Sequence, residues 1–410
     1  MVASAAAGVM STQALLFAMG LGAGSIPLAA TLNWVIKDGL GQLGGIAFSS
    51  LVNTRFDANP KLWRIVAAMS LDASMVLELL APLYPAYFLP LASVANAGKN
   101  ISFLAASASR AAIHNVLAAK GNLADITAKS GAQTILSCMI EGTGVGVALS
   151  ASLGSEWHAI CPACLGLSAM HLSANYLSVR SLAMPTFDSQ RLGMVVDLYQ
   201  ERKTFPSPED VAARESIVLP CLLRRIGLDR SPPVRVGSRL EDAVRGKEEL
   251  EELCRMCQGR PFLLAVRGDL EAQTAEVTVL LLEGCTSEEV LAAGYVAQVA
   301  KRLLLERGFL KPWMSGGLMI RGSPSGPRGQ ILSDVIAEAL NLGDTSPASP
   351  ALQKAVLRGV GLDRRRRKGG GIAADFVVGA ECAGWSTSVH FLEEAGSARL
   401  RLDHASGDGL

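Results

Sequence analysis

The first 36 residues of the chain contain no Asp, Glu, Lys, Arg or His. Charge is scarce throughout: 18% of the 410 residues are Asp, Glu, Lys or Arg, where soluble domains carry about a quarter. Most of the charges lie beyond Arg180, so an apolar half precedes one of ordinary composition. The net charge of +1 lacks the basic excess that marks a nucleic-acid binder, and no nucleic-acid partner is expected. No basic n-region opens the chain, which excludes a standard secretory signal at this position. Histidine is rare as well, with five residues, and H-E-x-x-H, G-x-S-x-G and P-loop patterns are all missing. That removes the common zinc-protease, serine-hydrolase and nucleotide-hydrolase readings. No catalytic constellation is found, and the expectation is that the chain is not an enzyme.

Eight cysteines are present, four of them in the C-x-x-C pairs Cys161/Cys164 and Cys254/Cys257. The gap between the pairs far exceeds the 12 to 20 residues usual for zinc fingers. No metal site is therefore expected. The first pair reads as small packing residues in an apolar run and the second as part of a surface helix.

What the chain does have is hydrophobic residues, half of the total, gathered in long runs. Val9 to Ile36, Ile65 to Ala81, Tyr84 to Ala108, Ala132 to Leu153 and Trp157 to Val179 each approach the roughly 20 residues of a membrane span. Basic residues alternate between the connections. Lys37, Arg55, Lys61 and Arg64 fall in one, Arg110, Lys120 and Lys129 in another, Arg180 and Arg191 after the fifth run. The segments near Pro82 and Glu156 carry no Lys or Arg, as the positive-inside rule predicts, and Trp34, Trp63 and Trp157 flank the runs. The expected fold is mainly α. An N-terminal polytopic helical membrane domain spans residues 1–200, with the lipid bilayer as its partner. A smaller soluble α+β domain follows over 207–410, with disordered insertions near 322–329 and 343–371.

In the second half "SRLEDAVRGKEELEELCRMCQG" reads as one helix with Ser238 as N-cap. "PFLLAV" and "AEVTVLLLE" read as strands, and Thr286 with Glu289 forms a capping box before a helix ended by Gly308. "ADFVVG" and "SARLRL" add strands. The tract "DRRRRKGGG" reads as a solvated loop.

"KDGLGQLGG" spells G-x-G-x-x-G through Gly39, Gly41 and Gly44, with Asp57 downstream. A dinucleotide site needs a strand before this pattern and a βαβ unit around it, and neither is found here. Spacing by four recurs instead at Gly20/Gly24, Gly41/Gly45 and Gly142/Gly146. Such flat faces let helix backbones approach closely. Asp38 is expected to cap a short helix starting at Gly39.

Ionisable residues in apolar runs point to a polar interior. Asp72 and Glu78, six apart, sit on different helix faces. Asn96, Lys99 and Asn100 share one, Arg110 and His114 another, and Asp125 and Lys129 make an i, i+4 pair. With Lys37 these residues, Asn100 excepted, form the candidate polar lining. His158 and His171 read as packed or interfacial.

The blocks "TQALLFAMGLG", "ATLNWVIKDGLGQLGGIAF", "RFDANPKLWR", "LDASMVLELLAPLYPAYFL", "NAGKNISFLAASASRAAIHNVLAAKGNLADITAKSGAQ" and "NYLSVRSLAMPTFDSQRLG" resemble, in order, the root UVB-sensitive family, long known as a domain of unknown function. The resemblance covers roughly the first 200 residues. It continues more weakly through the "TS" helix start and "AGW" at Trp385. The family has an upstream Pro-rich, aromatic block that this chain lacks, so a lost targeting segment is expected. The resemblance implies a membrane protein, plastid-located if the source is a plant or alga. It implies links to vitamin B6 homeostasis, UV-B response, seedling development and auxin transport, and pairing with another member of the same family. It supplies no catalytic residues, and any pyridoxal phosphate link comes through it alone; no cofactor is expected otherwise. The expected function is handling or sensing of a small polar solute. The alternative is a non-catalytic membrane scaffold that recruits a related family member through its C-terminal domain.

Overall fold

The computed structural model describes residues 28–52, 55–118, 121–140, 152, 157–202, 204–218, 231–244, 246–269, 274–309, 334–341, 372–392 and 399–400. The chain divides into two compact units, Met1–Leu182 and Ala183–Leu410. Residues 183–200, assigned above to the helical domain, therefore pack within the second unit.

The described part of the first unit is helical: α1 (Leu28–Val52), α2 (Arg55–Ala58), α3 (Pro60–Leu80), α4 (Phe88–Leu117), α5 (Leu123–Ile140) and α6 (Trp157–Arg180). The start of α3 is built by its sequence. Asn59 accepts a hydrogen bond from the Leu62 amide at 3.1 Å, and Pro60 takes a position whose N–H has no helical partner. Pro82 and Pro85 then shape two 3-10 turns, from which α4 returns antiparallel to α3. Ser102 Oγ donates to the Ala67 carbonyl at 2.7 Å and Ser70 Oγ to the Gly98 carbonyl at 2.8 Å, fixing the register. Small side chains make these approaches possible: Ala67, Ala68, Ala92, Ala95 and Ala105 are all buried.

This unit corrects the polytopic membrane expectation. Among the described residues a single helix, Pro60–Leu83, is long and apolar enough to cross a membrane, and half of that stretch is buried inside the protein. Much of the apolar count in the other runs comes from alanine and glycine, which bury little area per residue. Two of those runs are also interrupted by polar side chains, Asn96, Lys99 and Asn100 in α4 and His171 and Asn175 in α6, and the first ends against Lys37 and Asp38 within α1. Large apolar residues are nonetheless exposed on the unit, among them Leu43, Ile46, Leu51, Phe103, Ile135, Met139 and Leu177.

The helix expected to begin at Gly39 under an Asp38 cap does not exist as a separate element. Helix α1 runs through it without a break. The glycines within it are not equivalent. A Cβ at Gly41 would lie 2.3 Å from Asn96 Nδ2 and 2.9 Å from Asn96 Cβ, and one at Gly45 would lie 3.0 Å from Asn100 Cβ, whereas Gly39 faces open space. Gly41 and Gly45 thus form the seam on which α4 rests, which offsets their cost in helix propensity. Gly20, Gly24, Gly142 and Gly146 lie outside the described residues.

The second unit contains β1 (Thr186–Asp188), α7 (Ser189–Arg202), α8 (Pro208–Arg214), β2 (Val234–Val236), α9 (Leu240–Ala243), α10 (Lys247–Met256), β3 (Phe262–Asp269), β4 (Thr274–Leu282), α11 (Ser287–Glu306), α12 (Ile372–Cys382), β5 (Ser386–Phe391) and β6 (Arg399–Leu400). Strand β4 pairs antiparallel with β3 along one edge and parallel with β2 and then β6 along the other. Strands β1 and β5 form a separate parallel pair. Helix α11, buried along most of its length, packs on both groups of strands and starts with the Thr286/Glu289 capping box. Trp385 stacks on Phe187 at 4.5 Å and donates from Nε1 to the Pro206 carbonyl at 2.9 Å.

Two local expectations fail in this unit. "ADFVVG" is part of α12, because a short apolar run has no period that separates a strand from a buried helix. The helix expected from Ser238 is broken between α9 and α10 around Gly246, and Ser238 itself is buried beside the strands. The insertions near 322–329 and 343–371, with the arginine tract, lie outside the described residues.

The glycine seam separates packing from nucleotide binding by mutation. Gly39→Ala is expected to leave the unfolding midpoint unchanged or raise it by up to about 1 kcal/mol of helix propensity. Gly41→Ala is expected to cost roughly 1–3 kcal/mol through overpacking against Asn96. Chemical denaturation of both variants checks this, and equal behaviour of the two contradicts it.

Candidate functional site

Helix α3 buries two carboxylates, and each finds a nitrogen partner on a different neighbour. Asp72, on the side facing α6, lies 3.0 and 3.1 Å from His171 Nδ1 through its two oxygens. Glu78 faces α4, where Lys99 Nζ donates to its Oε2 at 2.5 Å. The Asp72, His171 and Glu78 side chains are all less than a tenth exposed, while Lys99 keeps about a quarter of its surface in solvent. Six residues of separation on a 3.6-residue helix turn the two acids toward two different helices.

The facing stripe of α6 is Ile160, Cys164, Ser168 and His171, all buried. It meets Met75 and Leu79 of α3 in a small apolar cluster. Burial pushes the Cys164 thiol up to about 11, with further upward pushes from Cys161 and from the charges of Asp72 and Glu78. Ser168 Oγ is buried without a hydrogen-bond partner one turn from His171. A carboxylate accepts only, so His171 Nδ1 carries a proton and Nε2 is the atom left to meet something else. Nε2 makes no hydrogen bond among the described residues.

The remaining candidates are distributed elsewhere. Lys37 is buried on α1, bonded to Asp38 at 2.7 Å, and Asn96 Nδ2 donates to the Lys37 carbonyl and to Asp38 Oδ1 at 3.3 and 3.2 Å. This cluster belongs to the α1–α4 seam beside Gly41. Arg110 and His114 lie on the C-terminal half of α4, about 16 Å along the helix from Lys99 by rise per residue. Asp125 and Lys129 pair at 2.8 Å on an exposed face of α5, where such a pair contributes only a few tenths of a kcal/mol. The structure thus joins Asp72, Glu78 and Lys99 around α3 and does not bring the other six into that group. His171 was not among the candidates. Its partner is 99 residues away in sequence, and only its position at i+3 from Ser168 and i+7 from Cys164 on one helix stripe hinted at an inward side chain.

Buried ion pairs contribute little net stability compared with apolar packing, yet removing one partner is expensive. Two such pairs lie on one helix, beside a buried hydroxyl without a hydrogen-bond partner and a raised thiol. Among the described residues no three His, Cys, Asp or Glu side chains are grouped to hold a metal ion.

The chain is therefore a closely packed helical protein with buried ion pairs, continued by an α+β unit. It belongs to the root UVB sensitive family. Residues 1–203 match the family model for the vitamin B6 photo-protection and homoeostasis domain, and residues 204–316 match that for the root UVB sensitive protein C-terminal region. From Arabidopsis thaliana, protein root UVB sensitive 3 is 33% identical over 58% of this chain and 54% of its own length. Protein root UVB sensitive 2, chloroplastic, also from that plant, is 32% identical over 73% of this chain and 66% of its own length. RUS family member 1 of Dictyostelium discoideum is 29% identical over 52% of this chain and 41% of its own length. The chain thus spans between about two fifths and two thirds of these relatives. No solved structure matches it. The family-model boundary after residue 203 falls well beyond the packing boundary after Leu182.

The raised thiol gives a direct check on this geometry. At pH 8 Cys164 is expected to resist iodoacetamide in the folded protein and to react once urea is added, because almost none of a thiol near 11 is thiolate. Exposed Cys382 is the internal control. Equal labelling of the two by mass spectrometry contradicts the buried placement.

Proposed function

We propose that the first unit binds a small polar solute at the charged layer made by Asp72, His171, Glu78 and Lys99, and that the solute is a B6 vitamer. The supporting observation is the pairing of both buried acids of α3 with nitrogen-bearing side chains, His171 and Lys99, on two separate helices. Separation of either neighbour from α3 exposes an acid and a base to a ligand at once. A vitamer offers matching groups: a ring nitrogen and a phenolic hydroxyl for the Asp72–His171 pair, and an oxygen-bearing arm for Lys99. The vitamin named in the matching domain supplies the substrate class. In this reading the chain handles or senses the vitamer without a reaction of its own. The relative named as chloroplastic makes a plastid the compartment we propose.

Fluorescence titration of the purified full chain with pyridoxal, pyridoxamine and pyridoxine tests the reading. Saturable binding is expected, weakened about tenfold or more in Asp72→Ala and in Lys99→Ala, since each removes a charge-assisted contact. Circular dichroism confirms that the variants are folded. Absence of binding, or binding unchanged in both variants, overturns it. Capture of a related family member without any vitamer binding is the result that the scaffold reading gives.

A further inference from the structure

The other end of the α3–α4 hairpin gathers positive charge that no acid among the described residues pairs with. The Ser102–Ala67 and Ser70–Gly98 hydrogen bonds set the two helices antiparallel, so the first turns of α3 face the C-terminal half of α4. Arg64 on α3 and Arg110 on α4 are brought to the same end, and His114 follows Arg110 by one turn on the same face. Arg64 and Arg110 are half-buried, as is His114. None of the three makes an ion pair or a hydrogen bond to a carboxylate among the described residues. Asp57 on α2, the acid nearest in sequence, is exposed and makes no ion pair among the described residues.

Burial holds the Arg64 guanidinium below its ordinary range, and the Arg110 charge lowers it further. His114 is lowered by the same two causes in the same order. Guanidinium groups stay charged at neutral pH. Two like charges are therefore held in a partly desolvated place, an arrangement that costs stability and that no ion pair among the described residues offsets. The amino end of α3 adds the positive end of a helix dipole on the same side.

We propose that Arg64 and Arg110, with His114 at the rim, form a binding site for a phosphate group, held by charge-assisted hydrogen bonds from the two guanidinium forks. The site is separate from the Asp72–Glu78 layer. Arg64 precedes Asp72 by two turns of α3, about 12 Å, and nothing in the assignment rests on the vitamer reading. The phosphate group comes either from a free phosphate or from an anionic lipid headgroup, and the chemistry that recognises it is the same.

The test uses the full chain and Arg64→Gln/Arg110→Gln, with inorganic phosphate as the probe against sodium chloride at equal ionic strength. Phosphate is expected to raise the thermal midpoint of the wild-type chain more than chloride does. The double variant is expected to need about tenfold more phosphate or to show no response. In phosphate-free buffer the variant is expected to be at least as stable as the wild type, because the repulsion has been removed. Flotation with phosphatidylcholine vesicles, with and without phosphatidylglycerol, separates the two sources. Capture by the anionic vesicles alone, reversed by phosphate, assigns a headgroup. A phosphate response without capture assigns a free phosphate. Equal effects of phosphate and chloride, an unchanged response in the variant, or a variant less stable than wild type in phosphate-free buffer overturns the proposal.

Discussion

Helix α3 carries two carboxylates into the interior, and the packing of the first unit follows from what they require. An ionised acid cannot be buried alone without a cost of several kcal/mol. Asp72 therefore fixes the position of α6 through His171, and Glu78 fixes α4 through Lys99. The rest of the interface is adapted to bring those partners within reach. Serine hydroxyls bonded to backbone carbonyls, and alanines along α3 and α4, keep the two helices close. On the far side of α4, Gly41 and Gly45 let α1 approach until Asn96 touches its backbone.

The two units solve the burial problem by different means. In the second unit long aliphatic and aromatic side chains fill the space between α11 and the strands, and local signals agree with the tertiary result. Its largest buried ionic group among the described residues, Arg191, bridges Asp188, Glu215 and the Thr186 backbone, tying β1 to α7 and to the segment after α8. The first unit packs through small residues, with Phe88 its one buried aromatic among the described residues, and much of its large apolar surface remains exposed on α1, α4, α5 and α6. Its specificity comes from polar contacts at defined positions.

That difference explains which parts of the structure were legible in the sequence. The Thr286/Glu289 box, β3, β4 and the stop at Gly308 follow from residues near one another in the chain, and all were readable. The opposite faces of Asp72 and Glu78 were readable too, from helical period alone. The partner of Asp72 was not, because nothing local links it to His171. Composition alone conceals the fold class. Runs of alanine, glycine and serine count as apolar or neutral by letter, yet they serve helix contact rather than lipid exposure, and only Pro60–Leu83 among the described residues has the length and character of a span. The charged residues scored as one lining divide into an α3 layer, an α1–α4 seam, a basic end and an exposed pair, because sequence spacing reports helix faces and not which faces meet.

The dependence of the first unit on the buried acids of α3 can be measured by a double-mutant cycle. Asp72→Asn, His171→Gln and the double variant are compared with the wild-type chain by chemical denaturation, read at a probe in the first unit. A coupling energy of about 1–3 kcal/mol between the two positions is the predicted result for residues in direct contact within one network. Additive effects, with a coupling near zero, would contradict the account and leave α6 held by its apolar contacts alone.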